Sequence, residues 1–275
     1  MHRRHFSHPL SYSPRQFPIH RLTPIKTKVI SQTSSFAGVR LLPTLASNSW
    51  AEFENRLGGF FAQKPLDRDR FIFRGQADEN WDLTTTLDRF VTSNQLEDRE
   101  EARRRLLDVF RTESISLRSS ASDVELTLLA RHHGLPSTIM DWTRSPYVAA
   151  FFAMRDPTHE SEKRPGAIGV WCLDISKAES LFADNVIVID EATALTDNPR
   201  AIEQKSVFLD VRHPFDWKKL VPPILTLFTI PTKERRAVLS RLDGMGINDR
   251  SLFRSLEAAA EVAKWRVRDM LLDEK

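Results

Sequence analysis

Apolar side chains recur at helical spacing just after residue 49. Phe53, Leu57, Phe60 and Phe61 fall on one face, and Ser49 stands where an N-cap belongs. The period then changes. Arg70-Phe71-Ile72-Phe73-Arg74-Gly75 is a short aromatic and β-branched run ended by glycine, which predicts a buried strand with Arg74 emerging at a turn. Residues 96–118 predict a charged helix with Leu106, Leu107, Val109 and Phe110 on its inner side. Ser122, with Glu125 three residues on, forms a capping box for a second helix carrying Val124, Leu126, Leu128 and Leu129. That helix should stop at His133-Gly134-Leu135-Pro136, because glycine suits the position after the last turn and proline cannot continue it. Ser145-Pro146 opens a third helix, and the apolar run 148–154 marks it as buried all round.

Four strands are predicted at 167–173, 186–189, 206–211 and 224–230, followed by a helix over 233–242 that ends at Gly244 and one or two helices over 250–270. Strands concentrated in one stretch with helices on either side argue an α+β fold. Its central sheet is mixed or mostly antiparallel and flanked by helices.

Charge divides the chain. Residues 1–51 hold seven Lys/Arg and no Asp or Glu, whereas the remaining 33 basic and 37 acidic residues leave the rest at −4. The overall +3 therefore comes from a basic leader, set at residues 1–45, ahead of a mildly acidic domain set at 46–275. This weakens the case for a nucleic-acid-binding domain, while the leader permits weak, salt-sensitive nucleic-acid contact. The leader is Arg- and Ser-rich like a transit peptide, but its scattered prolines and unpatterned apolar residues favour an unstructured extension. Cys172 is the only cysteine, which excludes an internal disulfide, favours a reducing, cytoplasmic setting and, inside a strand, reads as core. No apolar run is long enough to span a bilayer, so no membrane partner is expected. There is no P-loop and no G-x-G-x-x-G. His132, His133, His159 and His213 lack metal-ligand spacing, so no metal site is expected.

Phe73-Arg74-Gly75-Gln76-Ala77 followed by Trp81-Asp82-Leu83 resembles the motif that names the bacterial FRG domain family. The segment from Leu129 through His133-Gly134-Leu135-Pro136-Ser137-Thr138 to Asp141-Trp142-Thr143-Arg144-Ser145-Pro146 is similar to that family's central signature, at a dozen positions without gaps. Weaker likenesses lie at Asn198-Pro199-Arg200 with Gln204 and Phe208, and around Ile230-Pro231, so the resemblance spans about 50–270. Ser137 departs from the usual threonine, Ser206 from a small glycine-type residue, and Thr85-Thr86 from a proline-containing stretch.

Each candidate residue carries two readings. Arg74 can hold a phosphate or carboxylate with its fork while Gly75 lets a ligand near the backbone, or it can form an ion pair with Asp141 or Asp78. His133 can shuttle a proton or cap the preceding helix. Asp141 can orient Arg74 or His133, or serve as a cap; Trp142 can stack on a ring or fill the core. One of Glu203 and Gln204 can point into the same cleft, or both can sit exposed at a strand start. The order of these groups resembles that of ADP-ribosyltransferases. By that resemblance Arg74, Gly75, Gln76, Trp142 and Thr143 bind the ligand and His133, Asp141, Glu203 and Gln204 are catalytic; no cofactor is firmly implied, and NAD is the candidate. The expected function is a nucleotide-binding pocket of that kind. The alternative is a non-catalytic module recognising a nucleotide, nucleic acid or protein partner, and whether the chain is an enzyme stays open between them.

Overall fold

A computed structural model describes residues 44–62, 70–114, 123–155, 165–189, 199–220 and 223–273. Seven strands, β1 (Thr44–Ala46), β2 (Phe71–Gln76), β3 (Ile139–Thr143), β4 (Ala167–Asp174), β5 (Val186–Ile189), β6 (Ser206–Val211) and β7 (Leu225–Pro231), form one sheet in the order β1-β7-β4-β2-β3-β6-β5. Only β1 pairs in parallel, with β7; every other pairing is antiparallel. The expectation of an α+β fold with a mostly antiparallel sheet therefore holds.

Two-residue alternation divides the core between the two faces. Phe71 and Phe73 of β2, Ile168, Val170 and Cys172 of β4, and Phe228 and Ile230 of β7 face one hydrophobic cluster. Helices α1 (Trp50–Ala62), α5 (Pro146–Arg155), α8 (Arg235–Gly244) and α9 (Asp249–Phe253) close over that cluster. Ile72, Trp171, Leu173, Leu225 and Leu227 face the other cluster, which α6 (Ile175–Phe182) and Trp217 cover. Helix α1 begins as its sequence indicates, with the Glu52 backbone N–H donating to Ser49 Oγ at 3.2 Å and Phe53 and Leu57 buried. Helix α5 starts at Pro146 and buries six of its ten residues.

The remaining helices are α2 (Thr86–Ser93), α3 (Arg99–Glu113), α4 (Asp123–His132), α7 (Pro199–Glu203) and α10 (Leu256–Asp273). No described helix is long and apolar enough to cross a membrane.

Two regions differ from expectation. Residues 1–43, within the expected leader, lie outside the described residues. Thr44 and Leu45 already pair with Leu227 and Phe228, so the sheet takes in two residues assigned to the leader. Helix α3 starts later than predicted, at the residue after Asp98, whose carboxylate accepts from the Glu101 N–H at 2.9 Å. Its buried residue is Ala102, and Val109 points outward, because the face turned to the protein is set by 102 and 106. The predicted cap at Ser122 lies outside the described residues. Finally, 139–143, for which the sequence predicts no element, is a strand, hydrogen-bonded along its whole length to β6.

Candidate functional site

The sheet is weakest in its middle. Strand β2 pairs with β4 over six residues, yet it meets β3 at a single pair, Phe73 with Thr143. Arg74 follows that pair. Its Nη1 donates to the backbone carbonyl of Asp141 at 2.6 Å, so a guanidinium joins the two strands where the ladder has ended. On β3, Met140 and Trp142 face the α6 side, and Ile139 packs with Leu128 of α4 on the other. Alternation turns the Asp141 side chain toward α4, where its Oδ2 accepts from Nη2 of Arg131.

A third arginine is brought in by α2. Thr85 caps that helix in a reciprocal box with Asp88, and Thr86 clasps the segment entering β3, its Oγ1 accepting from the Ser137 N–H at 3.0 Å. The Leu87 N–H donates to the Ser137 carbonyl at 3.1 Å. Thr86 and Ser137, two of the departures from the motif, thus form the contact that seats α2, and Thr85, a third, caps the helix. Arg89, on its next turn, donates to the carbonyl and hydroxyl of Thr84 at 3.0 and 3.3 Å.

Arg74, Arg89 and Arg131 feel one another's charge. Burial pushes the Arg74 guanidinium down to about 10; Asp141 works against that shift, and the charges of Arg131 and Arg89 add to it. Arg89 is exposed, yet partial burial lowers it too; the charge of Arg131 adds to that, while Asp88 opposes it. Asp88 has little left to give, because its oxygens bind Thr85 and Arg99. Nε of Arg74 and Nε of Arg131 are buried N–H donors with no hydrogen-bond partner. Three guanidiniums therefore lie within reach of one another's charge, with Asp141 beside Arg74 and Arg131, Asp88 beside Arg89, and two donors unmet. Such an arrangement can bind an anion with several acceptor oxygens.

The other expected site residues fall elsewhere. Gly75 does not open the backbone to a ligand: a Cβ there would lie 1.9 Å from the Ala149 carbonyl oxygen, so its bareness admits α5. Gln76 is buried and structural, accepting from Trp171 Nε1 at 2.5 Å and donating to the Asp82 carbonyl at 3.1 Å. Trp142 is 2% exposed and packs near Trp217 on the face away from Asp141, so it has no surface on which a ring can stack. Thr143 is spent as well, donating to the Gln204 carbonyl at 2.6 Å and accepting from the Ser145 N–H at 3.1 Å. Glu203 ends α7 and pairs with Arg254, while Gln204 donates to the Leu252 carbonyl at 3.1 Å. Neither begins a strand; β6 starts at Ser206. His133 is exposed at the end of α4, its N–H donating to the carbonyls of Leu129 and Ala130. Gly134 follows with φ +88°, the left-handed conformation that ends the helix.

Arg89 and Arg131 were not singled out by sequence reasoning. The signal for Arg131 was its place one short turn before Asp141, which brings a helix end back beside the next strand. Arg74, Arg89, Arg131 and Asp141 all lie between residues 70 and 141. The family model of the FRG domain matches residues 69–162. The chain carries an FRG domain. The match runs from the residue before Arg70 past the end of α5, so it contains the whole arginine cluster and excludes Glu203 and Gln204. No curated protein and no solved structure matches the chain.

Proposed function

We propose that this FRG domain binds a phosphate-bearing small molecule, in its most specific form a nucleotide, at the cluster of Arg74, Arg89 and Arg131. The observation that carries this reading is the pairing of Arg74 and Arg131 around the single carboxylate of Asp141, with the charge of Arg89 added and two buried Nε–H groups awaiting acceptors. A buried N–H without a partner is costly, and a phosphate offers the oxygens to satisfy it.

Of the two expected classes, the binding module draws more support than the NAD-using transferase. Among the groups the transferase reading needs besides Arg74, Trp142 is in the core, Thr143 is committed to the backbone, and Glu203 and Gln204 bind Arg254 and Leu252.

Isothermal titration of the full chain with ADP-ribose, NAD and pyrophosphate tests the proposal. Binding of at least one, weakened tenfold or more by Arg131→Lys, is the expected result, because lysine keeps the charge but loses the fork. No heat with any of the three at millimolar concentration overturns it.

A further inference from the structure

Asp141 holds an unusual position among the ion pairs that join different elements of this fold. In the Arg70–Asp174 pair both carboxylate oxygens are engaged, at 2.6 Å each, and the acid side chain is fully buried. The Arg155–Asp249 pair likewise buries its acid. Asp141, by contrast, meets Arg131 through one oxygen and one Nη, and its side chain is 46% exposed against 21% for Arg131. That exposure exceeds the acid's in every other described pair between elements. The guanidinium is thus the seated member and the carboxylate the one with room to turn. Turning it need not move the strand, because the Asp141 backbone is held by β6 on one side and by Arg74 on the other.

We infer that Asp141 is a built-in competitor for the ligand, its carboxylate occupying the Arg131 fork that the ligand's phosphate must take. The inference rests on the anion-site reading above and adds how that site is regulated. An end-on carboxylate leaves Arg131 Nε unpaired, whereas a phosphate can bridge Nε and Nη2 together. The phosphate therefore gains a hydrogen bond that the aspartate does not make, and the aspartate returns to water at small loss, as half-exposed ion pairs do. Asp141 in this way discriminates against weak monoanions, which cannot outbid a tethered carboxylate for the fork.

Titration of inorganic pyrophosphate into the full chain, at one fixed ionic strength, tests this with the wild type, Asp141→Asn and Asp141→Ser. Two variants are used so that a folding defect in one, checked by thermal unfolding, does not decide the outcome. Both should bind pyrophosphate about tenfold more tightly than the wild type, since each removes a charge that competes at the fork. Pyrophosphate binding seen only in the variants supports the inference equally where the wild type binds ADP-ribose or NAD, and otherwise overturns it. Wild-type binding with equal or weaker affinity in both variants overturns it, because Asp141 then orients Arg131 for the ligand, and leaves the anion site standing. No binding by any of the three proteins removes the anion site and this inference with it.

Discussion

Gly75→Ala isolates one steric contact and separates two roles for the same residue. An added Cβ would sit 1.9 Å from the carbonyl oxygen of Ala149, 2.8 Å from its carbonyl carbon and 3.1 Å from Ala153 Cβ. Two of these are backbone atoms of α5, so no side chain can swing aside. Strand β2 and helix α5 must separate by about 1 Å or more to restore an ordinary contact. That separation opens the cluster that holds Phe71, Phe73, Ala149, Ala150 and Ala153, all buried. Overpacking against a fixed backbone lies at the upper end of its usual range, about 3 kcal/mol. With a urea m-value of about 3 kcal/mol/M for a domain of this size, the unfolding midpoint should fall by about 1 M. Urea unfolding followed by tryptophan fluorescence and circular dichroism measures it. A midpoint within about 0.2 M of the wild type would refute the steric argument. If that variant also lost pyrophosphate binding, Gly75 would serve the ligand and not the helix.

Three further outcomes are expected. Asp174 is pulled up by burial, but the Arg70 and Ser176 hydrogen bonds and the Arg70 and Lys177 charges outweigh this and hold it below its usual value. Its contribution is therefore complete above pH of about 4 and fades as pH falls through the lower folded value. Asp174→Asn should cost about 2 kcal/mol at pH 7 and 5.5, with a smaller difference at pH 3; urea midpoints that differ equally at all three count against the ion pair. Gln76→Ala strands the buried Trp171 Nε1 and the Asp82 carbonyl, so unfolding should ease by about 2 kcal/mol, and a neutral result in the same assay would show that water replaces the amide. Trp142→Phe removes a buried N–H that has no partner, so its stability loss should stay near 1 kcal/mol with pyrophosphate affinity unchanged within twofold; a large drop in affinity by titration would return that ring to the site.

Legibility followed from whether an element's stability is local. Helix α5 could be read because Pro146 suits its first turn and the run 148–154 is wholly apolar. Strands β4, β6 and β7 could be read because each is an apolar run bounded by turn residues. Strand β3 could not. It is only five residues long, follows Pro136 closely and carries an aspartate in its middle, and what makes it a strand is the ladder to β6, more than 60 residues away. The family resemblance led to the right stretch of chain and to Arg74 and Asp141, but not to their companions. Arg89 and Arg131 look in sequence like Arg103, Arg104 and Arg105, which lie along α3 and bind Glu100 and Glu101 on the same helix. Only tertiary placement separates Arg131, paired with Asp141 of the sheet, from an arginine paired along its own helix. The same blindness affected Trp142, since alternation on a strand not recognised as one could not assign its face.

Arg74 shows most directly why this cluster is not explained by folding alone. Burial and two like charges disfavour its cationic form, and the single described hydrogen bond of its side chain, to the Asp141 carbonyl, is a modest return. A residue kept only to tie β2 to β3 would gain more from a neutral donor or from apolar packing. Arg74→Met supplies that packing, removes the desolvated charge and relieves its repulsion of Arg89 and Arg131, while leaving one carbonyl without a donor. These effects oppose each other, so the stability change should remain within about 1 kcal/mol, as replacements of buried ionic groups by apolar ones often do. Pyrophosphate binding should nevertheless be lost. Thermal unfolding and titration on the same preparation measure the two quantities together. Loss of 3 kcal/mol or more would make the guanidinium a structural tie across the sheet, and retained binding in a stable variant would place the anion elsewhere.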